Sequence, residues 1–193
     1  WAAWTRRHLP VKRRTFLQAG LGAVAMAAAV SRAEAVEEHK MNIVLAADPF
    51  AIDLKDAVKE HLEKKGHTVL DVGAAKDKEI PYYDSAPVAA RMIQTGKAER
   101  AILFCGTGAG MCVVANKFKG VNAVCVESVF SAKMARAIND SNVLTMGAMI
   151  VAPWMAKAMV DAWMDTKHTE GLESFAGFLK DACVKVNALD TGQ

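Results

Sequence analysis

A cysteine followed at once by a glycine-rich turn is the part of this sequence best suited to chemistry. Residues 105–110 read Cys-Gly-Thr-Gly-Ala-Gly and follow an apolar run typical of a strand. Glycines let the backbone turn sharply and take positive φ, so successive N–H groups can converge and attract negative charge. A thiol beside such a turn indicates proton-transfer chemistry. The alternative, an inert buried thiol beside a close-packed turn, stays open.

The glycine spacing does not fit the common nucleotide-binding motifs. The third glycine of a dinucleotide fingerprint would fall at Met111, and no Lys-Ser or Lys-Thr pair closes the turn as it does in a P-loop. A glycine-rich turn alone is weak evidence of a site, because close packing also selects glycine. The adjacent Cys105 is what makes this turn a candidate.

Two more polar positions follow predicted elements. Asp48 ends the first predicted strand, and in a doubly wound sheet it would share a rim with Cys105. It precedes Pro49, so capping the next helix is an equally good role. Asn139 opens a run of Asn, Asp, Ser and Asn before the last predicted strand. Residue type alone favours a turn there.

The elements that would position these residues alternate between strand and helix. Apolar runs predict strands at Asn42–Ala47, Thr68–Asp71, 100–104, 121–126 and 143–146. Helical spacing follows each of them, with Leu54, Val58 and Leu62 on one face of the first helix. Residues 74–84 are predicted as a loop. The fold class is therefore α/β, a doubly wound, five-stranded parallel sheet in a three-layer sandwich.

The N-terminal segment has the pattern of an export signal. Lys12, Arg13 and Arg14 begin a stretch similar to the twin-arginine consensus, an apolar stretch follows, and Ala33-Glu34-Ala35 fits a cleavage site. The apolar stretch is too short for a membrane anchor, which needs roughly 20 residues. We therefore expect a signal peptide at residues 1–35, one domain at 36–193, and a periplasmic location.

Charge and cysteine usage narrow the function classes. Without residues 1–35 the chain keeps 18 Lys and Arg against 20 Asp and Glu, a formal charge of −2. No basic patch indicates nucleic-acid binding. Cys112, Cys125 and Cys183 lie in apolar runs, which predicts small buried hydrophobes and no disulfide framework.

Several motifs in combination resemble the family of ribose-5-phosphate isomerase B and the galactose-6-phosphate isomerase subunits. The resemblance spans roughly residues 42–179. It is carried by Asp48, Pro81 and Tyr83, Cys105-Gly-Thr-Gly-Ala-Gly110, Ala115-Asn-Lys-Phe118, Ser131-Ala132, Asn139-Asp-Ser-Asn-Val-Leu144, Gly147 and Asp161-Ala-Trp163. It implies a Rossmann-like or flavodoxin-like homodimer, or a dimer of dimers, that interconverts aldoses and ketoses through an enediolate.

The same resemblance implies a role for each matching position. Cys105 would move the proton between C1 and C2 of the sugar, and Thr107 would assist proton movement at oxygen. The enediolate oxygen would be held by backbone N–H groups of the turn, namely those of Gly106, Gly108, Ala109 and Gly110. Asp48, Tyr83 and Asn139 would bind the carbohydrate, Asn139 from across the dimer interface. Neither a metal nor another cofactor is required.

Three departures from the family pattern concern phosphate and ring opening. A histidine that follows the aspartate in phosphate-using members is Pro49 here, and the ring-opening histidine is Ile138. The arginines near the start of the C-terminal helix are absent from residues 172–176. Phosphate without such partners binds weakly. We therefore expect an isomerase for an unphosphorylated or unusual carbohydrate. A non-catalytic carbohydrate-binding protein is the alternative, and a conventional ribose-5-phosphate isomerase ranks third.

Overall fold

Five parallel strands form one sheet in the computed structural model, which describes residues 40–190. The strands are β1 (Asn42–Ala47), β2 (Thr68–Asp71), β3 (Arg100–Cys105), β4 (Ala123–Cys125) and β5 (Val143–Gly147). Their order across the sheet is β2-β1-β3-β5-β4. The doubly wound, five-stranded sheet predicted from the sequence is confirmed. The predicted signal peptide lies outside the described residues.

Helices cover both faces of this sheet. They are α1 (Ile52–Lys64), α2 (Tyr82–Gln94), α3 (Ala109–Ala115), α4 (Val129–Asn139), α5 (Pro153–Asp165) and α6 (Ala176–Asn187). Alternate residues of β1 and β3 point to opposite faces. Leu45 and Phe104 pack with α1, α4 and α5, while Val44 and Leu103 pack with α2 and α3. The three layers follow from this alternation.

The largest departures from the predicted boundaries are at the start of α2 and in the fourth strand, while β3 and β5 each end one residue later than predicted. Residues 82–84, predicted as loop, begin α2, because Pro81 is extended and its carbonyl accepts the Asp84 N–H at 3.0 Å. The fourth strand is shorter than predicted because the Asn142 side chain binds the Asn122 N–H at 2.8 Å, in place of a neighbouring strand. Neither change moves the candidate site.

Within residues 40–190, no helix has the length and apolar character needed to cross a membrane.

Candidate active site

The carboxyl ends of β1 and β3 form the rim of the candidate site. The chain leaves β1 toward β2 on one side, while β3 leads toward β5 and β4 on the other, so β1 and β3 meet at the topological switch point. Ala47 of β1 pairs with Phe104 of β3. The residue after Ala47 is Asp48, and the residue after Phe104 is Cys105. The Asp48 N–H donates to the Phe104 carbonyl at 3.1 Å. The structure therefore brings Asp48 and Cys105 side by side, as the sequence predicted.

The glycine turn after Cys105 is held against β5. Gly108 has φ +80°, and a Cβ there would lie 2.8 Å from the Met146 backbone. Gly147 of β5 packs against the turn from the other side, and a Cβ added there would lie 2.5 Å from the Thr107 carbonyl carbon. Real Cβ atoms do not approach backbone atoms so closely, so both positions require glycine. This close backbone packing holds the turn in place against β5.

The Cys105 sulfur lies inside this turn. Cys105 is 5% exposed, and the Gly108 N–H donates to its Sγ at 3.1 Å. This contact fixes the position of the sulfur at the rim. The Gly108 N–H is thus directed at the thiol rather than at a substrate oxygen. The first-turn N–H groups of α3, including those of Ala109 and Gly110, lack intrahelical acceptors.

Asp48 combines the two roles that the sequence left open. Its Oδ1 accepts the Phe50 N–H at 3.0 Å and so caps the short 3₁₀ turn Pro49–Ala51. Its side chain is also buried at the rim. Burial raises the pKa of Asp48, partly offset by the Phe50 N–H. The cap fixes the orientation of this carboxyl group beside Cys105.

The structure corrects the expectation that the other cysteines are buried hydrophobes. Cys112, Cys125 and Cys183 are each partly exposed, and all four thiols are free. Their sulfurs donate to backbone carbonyls, as Cys125 Sγ does to exposed Thr107 at 3.7 Å. Burial raises the pKa of the Cys125 thiol, and the Glu127 carboxylate acts in the same direction. Cys125 therefore supports the turn in its neutral form.

Two side chains that the sequence did not single out also contact the turn. A Cβ on Gly110 would lie 3.1 Å from the Tyr82 ring, so Tyr82 packs on the start of α3. Tyr83, the predicted sugar contact, is more exposed and meets Tyr82 edge to face at 5.3 Å. A Cβ on Gly106 would lie 3.4 Å from Met149 Sδ, so Met149 packs on the first residue of the turn. Tyr82 could have been suspected from the sequence because it is the neighbour of Tyr83. No feature of the sequence indicated Met149.

Asn139 lies at the opposite edge of the sheet. It ends α4 just before β5 begins, whereas Cys105 pairs with Gly147 at the far end of that strand. The strand alone separates the two edges by about 13 Å at roughly 3.3 Å per residue. Asn139 and Ile138 instead border a cavity of about 280 Å³ with Phe178 and Cys183. Within one chain, Asn139 does not reach Cys105.

Among the described loops that follow the strands at the rim, the one after β2 carries Lys76 and Lys78, next to Asp77 and Glu79. The described segments 47–54, 105–111, 125–130 and 147–154 contain no Lys, Arg or His, but they do contain Asp48, Asp53 and Glu127. In the same part of the chain, residues 40–190, no three His, Cys, Asp or Glu side chains are grouped to hold a metal ion. The site presents backbone N–H groups and a thiol rather than fixed positive charge.

Comparison with known proteins identifies relatives over most of the chain. The family model described as Ribose/Galactose Isomerase matches residues 43–175. A 4-deoxy-4-sulfo-D-erythrose isomerase from Clostridium sp. is 44% identical over 152 residues, covering 78% of this chain and 96% of that protein. A D-erythrulose-4-phosphate isomerase from Pectobacterium atrosepticum is 41% identical, covering 68% and 87%. The crystal structure of a Thermotoga maritima ribose 5-phosphate isomerase superposes with a TM-score of 0.72 at 29% identity, covering 78% of this chain and 100% of that one.

Proposed function

The chain belongs to the ribose/galactose isomerase family, and from that premise we propose that it interconverts an open-chain aldose and its ketose with Cys105 as the proton-transfer base. The observation that carries the proposal is the buried Cys105 sulfur, which accepts the Gly108 N–H at 3.1 Å beside Asp48. A pocket that only bound sugar would have no need of a thiol held in this way.

The chemistry balances without an outside reagent. The Cys105 thiolate removes the proton from C2 of the aldose, the C–H electron pair forms the C1–C2 double bond, and O1 takes up a proton. The same thiol then returns its proton to C1 while the hydroxyl at O2 loses one, which gives the ketose. Before O1 takes up its proton, the enediolate oxygen is stabilised by backbone N–H groups of the turn other than that of Gly108, such as those of Ala109 and Gly110. Thr107, exposed at the turn, carries the oxygen-bound proton.

The substrate we propose is a four-carbon sugar that cannot form a ring. An aldotetrose closes a five-membered ring through its C4 hydroxyl, so replacing that hydroxyl leaves the carbonyl open. Two relatives are named for sugars of this length that carry a sulfonate or a phosphate at C4. A ring-opening acid is unnecessary for such a substrate, which accounts for Ile138. The described loops that follow β1 and β3 carry no cation to pair with a phosphate, which favours an unusual substrate over a standard sugar phosphate such as ribose 5-phosphate.

We further propose that the working form is a homodimer or a dimer of dimers. Asn139 is exposed at the edge of the sheet opposite Cys105. Only a second copy can therefore bring this amide to the sugar. Export to the periplasm through the twin-arginine segment is part of the same proposal, and it rests on the sequence of residues 12–35.

Exchange of substrate hydrogen with solvent tests the function. The protein is incubated in D₂O with D-erythrose, 4-deoxy-D-erythrose, D-erythrose 4-phosphate and D-ribose 5-phosphate, and NMR follows deuterium at C2 and appearance of the ketose. We expect exchange and isomerisation of at least one four-carbon sugar and little of ribose 5-phosphate. Binding of a sugar with no exchange in any would favour the non-catalytic alternative. Efficient turnover of ribose 5-phosphate would contradict the proposed substrate and favour a conventional ribose-5-phosphate isomerase.

A further inference from the structure

Asn139 is followed by a tight turn that ends α4. Asp140 has φ +47°, in the left-handed region that few residues other than glycine, Asn and Asp adopt. Its N–H donates to the Arg136 carbonyl at 3.1 Å, and the Ser141 N–H donates to the Ala135 carbonyl at 3.1 Å. These two bonds close the end of the helix, so the backbone on both sides of Asn139 is fixed.

The side chain of Arg136 holds this turn from the inside. Arg136 is 7% exposed, and its Nη1 donates to the Ser141 carbonyl at 2.7 Å and lies 2.8 Å from Asp140 Oδ1. Trp163 of α5 supports the same turn, because its Nε1–H donates to Ser141 Oγ at 2.7 Å and both side chains are fully buried. The turn is therefore held by a cation from α4 and an indole from α5.

Arg136 is a costly residue at this position. Its Nε is buried and has no hydrogen-bond partner among the described residues. A second cation, Arg100, lies nearby with its Cζ 5.8 Å from the centre of the Trp163 ring. Burial lowers the pKa of Arg100, and the charge of Arg136 acts in the same direction. A buried cation with an unpaired donor and a like charge beside it reduces stability. Stability of the core alone does not explain a guanidinium here, whereas its contacts with the turn do.

The segment is also attached beyond the turn. Asn142 Oδ1 accepts the Asn122 N–H at 2.8 Å, and Asn142 Nδ2 donates to the Gly120 carbonyl at 2.8 Å. Residues 140–142 are therefore fixed by side chains from three directions. The Asn139 amide is exposed and has no hydrogen-bond partner within residues 40–190. A free polar group on a rigidly supported backbone is the arrangement that a ligand contact requires.

We infer that Arg136 is a positioning residue that gives the Asn139 amide one orientation toward the sugar. This inference rests on the proposed function, in which Asn139 binds a carbohydrate held by a second copy. Arg136 acts only through the turn, because its guanidinium is buried and directed at Asp140 and Ser141. A contact that binds the sugar equally in the ground state and the transition state changes KM and leaves kcat. Loss of Arg136 should therefore be seen in KM.

Hydrogen exchange on the full protein tests the positioning without a substrate. In Arg136→Met, the N–H groups of Asp140 and Ser141 should exchange about 10-fold faster or more, relative to the amides of β3, when followed by NMR. Lys55→Met is the matched control. It removes another buried cation, which contacts Asp71 at 2.6 Å on β2, the outermost strand away from β5, and it should leave this ratio unchanged. If Arg136→Met does not fold, Arg136→Lys keeps the charge without the guanidinium geometry and carries the same expectation.

Kinetics tests the consequence for the sugar. With a four-carbon sugar that the protein isomerises, Arg136→Met should raise KM by about 5-fold or more and keep kcat within about 2-fold. Partial unfolding would instead lower the apparent kcat and leave KM. In an Asn139→Ala background, the same change at 136 should alter KM by less than about 2-fold, because the two residues act as one unit. If no sugar is isomerised, the calorimetric affinity for erythronate, whose carboxylate resembles the enediolate, is compared in the same four proteins.

Each outcome separates the positioning from the reaction. Unchanged exchange at residues 140 and 141 would overturn the inference, and so would an unchanged KM or an equal change of KM in both backgrounds; each of these leaves the isomerase activity standing. Faster exchange with weaker, Asn139-dependent binding of erythronate and no isomerisation of any sugar would support the positioning and refute the isomerase activity. A protein that neither isomerises a sugar nor binds erythronate would refute both.

Discussion

Replacing Gly108 by alanine tests whether the glycine turn has the single position that the structure gives it. Gly108 has φ +80°, which costs a non-glycine residue about 1 to 2 kcal/mol. Its new Cβ would also lie 2.8 Å from the Met146 backbone and 2.9 Å from Cys125 Sγ. Overpacking of this kind adds about 1 to 3 kcal/mol. We therefore expect Gly108→Ala to lower the free energy of unfolding by about 2 to 5 kcal/mol.

Gly96 provides a matched control. It has φ +68°, and a Cβ there would meet nothing within 4 Å, so Gly96→Ala carries the backbone strain without the collision. Urea unfolding followed by circular dichroism should show a loss of about 1 to 2 kcal/mol for Gly96→Ala and a larger one for Gly108→Ala. Protein that stays folded with alanine at 108 should also lose turnover, because its N–H moves away from Cys105 Sγ. Equal losses of stability in the two variants would refute the collision argument.

Three further predictions concern export, acid stability and phosphate. Changing Arg13 and Arg14 to lysine should block export and removal of residues 1–35; N-terminal sequencing of protein from each compartment checks this, and a mature N-terminus near Val36 in the variant would contradict it. Burial opposes ionisation of Asp71, but hydrogen bonds from Lys55 and the Gly73 N–H, with the charges of two lysines, outweigh it and lower the pKa of Asp71. Its contribution to stability is therefore present above the unfolded pKa of about 3.9 and lost as pH falls through the lower folded pKa. The free energy of unfolding, measured from pH 6 to pH 2, should therefore change less with pH for Asp71→Asn than for the unchanged protein. Ile138→His should leave the calorimetric affinity for inorganic phosphate within about 2-fold, because one histidine does not replace several charge-assisted contacts; a gain of 10-fold or more would contradict this.

The sheet could be predicted from the sequence because its central strands β1, β3 and β5 are buried on both faces. Continuous apolar runs gave β1 and β2 their observed bounds, and β3 and β5 each extend one residue further. The errors arose where a single side chain or proline competes with the backbone pattern. Asn142 ends the ladder before β4, and Pro81 starts α2 early. Such local hydrogen bonds leave little trace in hydrophobic periodicity.

The candidate site was predictable only in part, for a related reason. Asp48 and Cys105 follow strands that are neighbours in a doubly wound sheet, so topology alone brings them to one rim. The contacts of Tyr82, Cys125 and Met149 with the turn depend on loops and helices whose approach the sequence does not specify. The exposed place of Asn139 at the opposite edge likewise became clear only from the register of β5 with β3.

The central claim is that Cys105 moves a proton on carbon, and solvent exchange in one variant tests it most directly. With a four-carbon sugar that the unchanged protein isomerises in D₂O, Cys105→Ser should stay folded and lose at least 100-fold of the rate of deuterium entry at C2, because a hydroxyl is a far weaker base than a thiolate near neutral pH. Cys112→Ser changes a thiol that has no part in the proposed reaction and keeps a donor for the Ala123 carbonyl, so it should keep the original rate. Exchange by Cys105→Ser at the rate of the unchanged protein would contradict the claim.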